Sequence, residues 1–376
     1  PSQYFDVCDH VEIVDDLTFK IVTTEPSSAL LANLTQSQCS ILPSELLAEG
    51  HDFNAEPCGS GPYKFVSWTS GDKIEFERFD DYFKGPAKIQ YLTWRFIPED
   101  SARTIALEAG EVDLLFNVAT IDLPNLEANE NIELLTSSSV NLYYMYLNLE
   151  KEPYDNVLFR KAINAALDKE SMVAAVLNGY GTPSIVCVPN DLPGESQENA
   201  VTYDVEQAKK YLEESGVDPS TVTIKLNCSD DSKRLVGAII QDNLAQIGIS
   251  VELVSIDYAT GVTASSEGDY EAAIGGAANN VALNFMRRLY YSSMVGSTNF
   301  SRFADPEIDE MIDVALATLD EAERIELTAE LEAKLNDLCV IIPLYQDQYI
   351  RAYNKDLGGL TLNACYVTKY HELYWK

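Results

Sequence analysis

The chain has 376 residues and a formal net charge of −34, from 60 acidic and 26 basic side chains. This excess of acid argues against nucleic acid as a partner, because neutralising phosphates requires basic patches. A chain of this length can bury a large core and is expected to form at least two domains. No apolar run reaches the roughly 18 residues that a membrane span needs.

The cysteines and histidines do not form a pattern that is typical of metal binding. The seven cysteines include no Cys-X-X-Cys pair, and the three histidines (His10, His51 and His371) are far apart. We therefore expect no metal and no cofactor. Cys39 and Cys58 flank one short loop and could pair in an oxidising compartment, and the odd count leaves at least one thiol unpaired.

A glycine-rich turn and three strands form the most distinctive stretch of the first half. Gly59-Ser60-Gly61-Pro62 predicts a turn, and residues 63–68 and 73–78 alternate as the strands of a hairpin. Residues 89–97 supply a third strand. A phosphate cradle is disfavoured, because no further glycine or Gly-Lys-Ser/Thr ending follows and the turn leads into a strand.

Further elements follow on both sides of this hairpin. Residues 11–24 predict strand, turn and strand, and a helix is expected from Asp100 to Glu108, before a strand over 112–116. The next strand, 139–148, carries Tyr144 and Tyr146 on one face and Tyr143 on the other.

The second half of the chain alternates strands and helices. Residues 221–226 and 249–253 predict parallel strands joined by an amphipathic helix over 233–247. A third strand is expected over 270–275, followed by a polar loop over 276–284. Because open α/β sheets bind ligands beyond the carboxyl ends of their strands, this loop is a candidate binding site. Two helices and a buried strand over 340–344 end the pattern.

Four stretches together resemble one protein family. They are GSGPY with its hairpin and the aromatic run FDDYFKG, the helix and strand EAGEVDLLF, the segment LNLEKEPYDNVLFRKAINAALDKESMV, and the final helices with VIIPL. In this order they are similar to the peptide/nickel/oligopeptide-binding family (family 5) of extracytoplasmic solute-binding proteins of ABC importers. The resemblance implies an α/β fold of the type II periplasmic-binding-protein class (large cluster), with two lobes joined by a two-strand hinge.

The resemblance also implies a domain plan. Residues 1–50 would be a remnant of the small second domain and the return to the first lobe, and 51–147 the central part of that lobe. Residues 148–349 would form the C-terminal α/β lobe, and 350–376 would return to the first lobe. The hinge strands would lie just after Leu147 and near 349–353. We expect the sequence to lack the N-terminal part of a longer protein.

The resemblance also points to residues that would bind the ligand. In oligopeptide binders of this family, a carboxylate in the loop after the third strand of the C-terminal lobe holds the amine of the ligand. Here that position falls on Asn280, beside Asn279, and an amide cannot supply the negative charge. Tyr143, Tyr144, Tyr345 and Gln346 are the other candidates, although packing in the core or hinge explains each equally well.

No catalytic constellation is visible, and the prediction is a binding protein and not an enzyme. It would be a monomer in the periplasm or a lipoprotein on the cell surface, where it closes on peptides and delivers them to a membrane permease. One alternative is a sensor or chaperone on the same fold. Others are a hydrolase in the cleft between the lobes, or a binder of another solute such as a nickel chelate or an oligosaccharide.

Overall fold

The computed structural model describes residues 5, 7–28, 30–35, 39–362 and 367–376. Cys365 lies outside these ranges. The chain divides into two compact units. Unit 1 comprises Asn33–Ser139 and Gln348–Lys376, and unit 2 comprises Val140–Asp347 with the N-terminal segment that ends at Ala32. The predicted domain boundaries, based on the family resemblance, stay a prediction.

Helices and strands alternate along most of the chain. The strands are β1 (Cys8–Asp15), β2 (Thr18–Thr23), β3 (Tyr63–Thr69), β4 (Lys73–Arg78), β5 (Tyr91–Arg95), β6 (Leu114–Leu115), β7 (Ile132–Leu147), β8 (Gly181–Pro183), β9 (Thr223–Cys228), β10 (Ser250–Ser255), β11 (Ala272–Ala278), β12 (Ile341–Asn354), β13 (Leu357–Gly358) and β14 (Tyr374–Trp375). The helices are α1 (Leu30–Asn33), α2 (Ser44–Glu49), α3 (Asp100–Glu108), α4 (Leu123–Glu127), α5 (Val157–Ala166), α6 (Lys169–Leu177), α7 (Val205–Ser215), α8 (Asp231–Ala245), α9 (Tyr258–Glu267), α10 (Ala282–Tyr290), α11 (Pro306–Ala317) and α12 (Glu321–Leu338).

The largest sheet has the strand order β10-β9-β11-β7-β12-β6, and β8 pairs with β12. Strand β9 is parallel to both β10 and β11, and β11 is antiparallel to β7. Strands β7 and β12 are long, and each contributes residues to both units. The units therefore share two strands of continuous chain.

Within unit 2 the sheet is covered by helices on both faces. The first face packs on α5, α6, α7 and α8, through buried residues such as Phe159, Met172, Leu212 and Ile240. The second face packs on α10, α11 and α12, through residues such as Phe285, Ile312 and Leu335. Alternate residues of β7 enter the two cores, with Met145 on the first face and Tyr144 and Tyr146 on the second.

Unit 1 contains the antiparallel sheet β3-β4-β5 and a smaller core. Leu107 of α3, Leu115 of β6, Leu126 of α4 and Ala352 of β12 form that core. The Arg351 side chain lies over the ring of Phe116, with 4.0 Å from its guanidinium carbon to the ring centroid. This unit thus has its own apolar centre, separate from the two clusters of unit 2.

Most predicted elements are confirmed, and the exceptions have physical reasons. The loop predicted over 276–284 is wrong in extent, because β11 continues to Ala278 through pairing with β7 and α10 begins at Ala282. The short strand β8 was not predicted, because its three residues form a strand only through pairing with β12. Helix α9 was not predicted, since its small and polar residues show little helical periodicity.

Candidate binding site at the carboxyl edge of the unit 2 sheet

The parallel strands β9, β10 and β11 end together at one edge of the sheet, here called the carboxyl edge. From β9 the chain passes through α8 on the first face to β10, which lies on one side of β9. From β10 it passes through α9 to β11, on the other side of β9. Helix α9 lies on the second face, where Ser265 hydrogen-bonds the Tyr146 hydroxyl at 2.9 Å. The two crossovers therefore use opposite faces, and a crevice between diverging loops is a common ligand site.

A cavity of about 100 Å³ lies at this edge. It is lined by residues of β7, β9, β11, α8 and α9 and of the loops beside them: Tyr144, Tyr146, Asn227, Ser229, Lys233, Ile256, Tyr258, Gly261, Val262, Ala273, Ile274, Gly275, Gly276 and Phe300. All of these residues belong to unit 2, and none of them is acidic. We call this space the edge cavity.

The small residues of β11 leave room for the edge cavity. A Cβ atom added at Gly275 would lie 3.0 Å from Cε1 of Tyr146, so a larger side chain could be accommodated only by displacing its neighbours. The ring of Tyr146 is fixed by the bond to Ser265 and by Tyr270 at 5.4 Å between ring centroids. The fixed ring of Tyr146 and the small residues of β11 therefore define the edge cavity.

Polar groups reach the edge cavity from several directions. Asn227 and Ser229 come from the end of β9, and Lys233 comes from the first turn of α8. The Lys233 Nζ donates to Oγ of Ser229 at 2.9 Å and to Oδ2 of Asp230 at 2.5 Å. The positive charge of Lys233 is thus compensated beside the cavity. Desolvation raises the pKa of the Asp230 carboxyl, but the hydrogen bonds and charge of Lys233 and the bond from Ser229 together lower it below its usual value.

Tyr144 is the candidate residue that the structure places in the edge cavity. Its side chain is 6% exposed, and its hydroxyl makes no hydrogen bond with any residue that the structure describes. Burial raises its pKa well above the usual value, and neighbouring Tyr146 raises it further. The group is therefore a neutral phenol that can donate or accept a hydrogen bond with a ligand.

Tyr143 and Tyr345 form a second group on the first face of the sheet. Their rings stack with centroids 4.9 Å apart. Both lie near Asp347, which is in the middle of β12 and is the last residue of unit 2. Oδ2 of Asp347 lies 3.5 Å from the Tyr143 hydroxyl and 3.5 Å from Nδ2 of Asn141. We call Tyr143, Tyr345 and Asp347 the acid–tyrosine cluster.

The remaining candidates, Gln346, Asn279 and Asn280, lie outside the edge cavity and the acid–tyrosine cluster. Gln346 is 2% exposed, and its Oε1 accepts a hydrogen bond from the Asn190 backbone N–H. Oδ1 of Asn279 accepts from the Val281 N–H at 2.9 Å within its own loop, and Asn280 is exposed. None of these three lines the edge cavity. Their roles in binding stay a prediction.

Sequence reasoning missed the polar residues that follow β9. Asn227 and Ser229 sit where a parallel strand ends, which is the same signal that directed attention to the loop after β11. The pair Gly275-Gly276 inside a strand is also a signal, because glycine there often marks a close approach of another group.

Several other features bear on the class of protein. Across the described ranges, no three His, Cys, Asp or Glu side chains come together in a way that could hold a metal ion. Cys39 and Cys58, considered above as a possible pair, are both free thiols. No helix in the described part of the chain combines the length and apolar character that crossing a bilayer requires.

Comparison with known proteins identifies the family. Residues 1–297 match the sequence model of the bacterial extracellular solute-binding proteins, family 5, middle region. The chain belongs to this family. Family 5 proteins are solute-binding components of ABC importers, as the sequence resemblance had indicated, and they act outside the cytoplasm.

Named relatives support the assignment. The chain is 28% identical to the glutathione-binding protein GsiB of Pectobacterium atrosepticum over 94% of its length and 71% of that protein. It is also 28% identical to the heme-binding protein A of Haemophilus influenzae, over 89% of its length and 64% of that protein. Relatives in one family are therefore named for chemically different solutes, and these similarities do not identify the ligand here.

Solved structures confirm the α/β fold of periplasmic binding proteins. HbpA2 from Haemophilus parasuis superposes with a TM-score of 0.88 at 26% identity, covering 100% of this chain and 78% of that chain. The periplasmic binding protein DppA from Helicobacter pylori, in complex with the peptide STSA, gives a TM-score of 0.84 at 23% identity. It covers 100% of this chain and 77% of that one, and at this identity it supports the fold alone.

Proposed function

We propose that the protein is the extracytoplasmic receptor of an ABC importer and that its solutes are peptides. The observation that carries the proposal is an open strand edge beside the edge cavity. Strand β11 pairs with β9 only at Ala272 and Ala273, whereas its pairing with β7 continues to Ala278. Within the described residues, the β9-facing edge of β11 over 274–278 therefore has no strand partner.

An open edge of this kind suits the main chain of a peptide. An extended peptide can add itself as a strand, because its N–H and C=O groups match those of the exposed edge. Ile274, Gly275 and Gly276 belong both to this edge and to the lining of the edge cavity. A peptide on the edge would therefore direct a side chain toward the cavity.

The edge cavity would then contribute to selectivity. It offers aromatic surface from Tyr144, Tyr146 and Phe300 and hydrogen-bonding groups from Asn227 and Ser229. Such a mixture accepts side chains that are partly apolar and partly polar. Water in the remaining space would allow side chains of different shape, as is common in wet binding sites.

Several further predictions complete this function. The protein would act as a monomer, anchored as a lipoprotein or free in the periplasm, and would deliver its ligand to a membrane permease. It would bind solute by hinge closure without catalysing a reaction. Asn279, Asn280, Tyr345 and Gln346 would contact the ligand as the family resemblance implies.

Peptide binding can be tested with the full-length protein and a defined set of dipeptides to pentapeptides. Any peptide that binds should raise the midpoint temperature of unfolding. The free energy of unfolding should increase by about 2.7 kcal/mol when the peptide is at 100 times its dissociation constant. N-methylation of a main-chain nitrogen that pairs with β11 should weaken binding by about fivefold, the equivalent of one hydrogen bond. Absence of any shift at millimolar peptide would refute the proposal.

A further inference from the structure

We propose that residues 257–263, at the start of α9, form a lid on the edge cavity that opens to let a side chain of the solute enter or leave. This inference rests on the proposed function, because it assumes that a peptide side chain occupies the cavity. It adds how that side chain passes in and out. The opening would be a local unfolding within unit 2, to which α9 belongs.

Helix α9 is a wall of the edge cavity that belongs to neither core of unit 2. Tyr258, Gly261 and Val262 line the cavity. The structure describes all of α9, and none of its residues is part of the apolar core on either face of the sheet. Ser265 is its one buried residue, whereas the nine-residue helix α10 buries six. A segment with so few buried apolar contacts opens at a low cost in free energy.

The sequence of α9 also favours opening. Residues 260–263 are Thr-Gly-Val-Thr, four consecutive residues of low helix propensity. Glycine loses much backbone entropy in a helix, and the β-branched side chains lose rotamer freedom. Outside the helix itself, a Cβ atom added at Gly261 would meet only Cγ2 of Ile256, at 3.5 Å. Tight packing therefore does not require glycine here, and the weak helix is a property of the sequence.

The C-terminal end of α9 is fixed by side chains from other segments. Nη1 of Arg302 donates to the Ser266 carbonyl at 3.1 Å, and Nδ2 of Asn148 donates to the Gly268 carbonyl at 2.9 Å. Arg302 is itself held, because its Nε pairs with the carboxylate of Glu150 at 2.5 Å. Together with the Tyr146–Ser265 bond, these contacts provide a fixed point beyond the lid.

The lid itself lacks such contacts. The chain is held just before it, where the Ile256 N–H donates to the Cys228 carbonyl at 3.2 Å. Within the lid, side-chain hydrogen bonds are local, such as the one from Oγ1 of Thr263 to the Ala259 carbonyl at 3.1 Å. Tyr258 is 73% exposed although it borders the cavity. The segment can therefore open without breaking a hydrogen bond to any other element that the structure describes.

The opposite walls of the edge cavity cannot move in this way. Tyr144 and Tyr146 belong to β7 and Gly275 belongs to β11, and these two strands pair along seven residues from Ala272 to Ala278. Moving either strand would break the central sheet, whereas moving the lid costs only hydrogen bonds within α9. Local lids of this kind control entry and release in many proteins.

Hydrogen exchange in the ligand-free, full-length protein tests whether the lid opens. Relative to intrinsic rates, amides of 260–263 should exchange at least about tenfold faster than those of 239–242 in α8. Thr263→Ala and Thr263→Gly form the diagnostic pair, because Thr263 is exposed and does not line the cavity. Glycine is less favourable than alanine inside a helix, so the lid should exchange about fivefold faster in the glycine variant.

The matched control is the pair Asp242→Ala and Asp242→Gly. Asp242 is exposed on α8 and lies outside the lining of the edge cavity. The same exchange of alanine for glycine there should leave hydrogen exchange in the lid unchanged. Circular dichroism verifies that all four variants are folded.

Stopped-flow fluorescence with trileucine tests whether the lid controls passage, because this peptide offers an apolar side chain in any register on β11. Thr263→Gly should raise the association and dissociation rate constants together, by about fivefold relative to Thr263→Ala. The dissociation constants of the two variants should then agree within about twofold. Triglycine has no side chain to admit, so its rates should be the same in both variants.

The outcomes separate this inference from the proposed function. Equal protection of α9 and α8, or equal trileucine rates in the two Thr263 variants, would overturn the lid although peptide binding stands. A change in dissociation alone would also overturn it, and so would binding of triglycine without binding of trileucine. If no peptide of the wider set binds to the wild-type protein, the proposed function fails and the lid has no solute to admit.

Discussion

The two faces of the unit 2 sheet bury opposite ionisable groups. On the first face, Lys169 is 4% exposed, and its Nζ donates to Oδ1 of Asn164 at 2.8 Å. On the second face, Glu332 is fully buried, and its Oε2 accepts from the Ser196 N–H at 2.9 Å. Burial lowers the pKa of Lys169 to about 7 and raises that of Glu332 to about 8.

The two faces also differ in the side chains that they place at the carboxyl edge, where we propose that the ligand binds. The first face has a carboxylate and stacked tyrosines at the carboxyl edge, whereas Tyr144 and Tyr146 of the second face line the edge cavity, whose lining includes no acidic residue. Neighbouring residues of one strand, Tyr143 and Tyr144, belong to these two different environments. The comparison teaches that burial favours the neutral form of an ionisable group in the core of each face, whereas the edge of the sheet carries the paired charges of Lys233 and Asp230.

Replacing the buried acid should give the largest change in stability. A raised carboxyl pKa means that the folded state holds more protons than the unfolded state between about pH 4.5 and 8, so stability falls as pH rises through this window. Glu332→Gln keeps an acceptor for Ser196 and cannot ionise. Its stability relative to the wild type should increase across the window by roughly 2–4 kcal/mol, measured by urea unfolding. A constant difference would contradict the assigned pKa.

Replacing the buried lysine should give the opposite dependence on pH. A lowered lysine pKa means that the unfolded state holds more protons between about pH 7 and 10.5, so wild-type stability rises with pH there. The stability of Lys169→Met relative to the wild type should therefore decline over this window, by roughly 2–4 kcal/mol. The bond lost to Asn164 adds an offset that is independent of pH, so the slope is the diagnostic quantity. A slope of zero would exclude this assignment.

Filling the edge cavity should show whether this space contributes to peptide affinity. Gly275→Leu places a side chain against Tyr146, where even a Cβ atom would be 3.0 Å away. Peptide affinity should fall by roughly 10- to 100-fold, because the ligand loses the burial of one side chain. Thr223→Leu is the control, since Thr223 is exposed at the first residue of β9, away from the carboxyl edge. Equal losses in both variants would show that the effect is not local to the cavity.

Much of the fold could be predicted from the sequence, because caps and periodicity are local signals. Asp305-Pro306 predicts the start of α11, and the apolar residues of β9, α8 and β10 predict a parallel unit. The extension of β11 to Ala278 could not be predicted, since Gly275-Gly276 is a strand only because β7 lies beside it. Tertiary pairing outweighs local propensity there.

The candidate site was less predictable than the fold. The sequence placed Tyr143 and Tyr144 on opposite faces of one strand, and the structure confirms this placement. The contact of Tyr143 with Asp347 joins positions 204 residues apart, and no local pattern reveals it. The edge cavity likewise depends on how α9 packs on β7, which involves the Tyr146–Ser265 bond.

The most direct test of the account is a structure of the full-length protein bound to a peptide selected by the binding assay. We expect the peptide main chain to pair with β11 over 274–278 and a side chain to enter the space between Tyr144 and Gly275. A peptide bound away from these residues, for example on the β3-β4-β5 sheet of unit 1, would contradict the account.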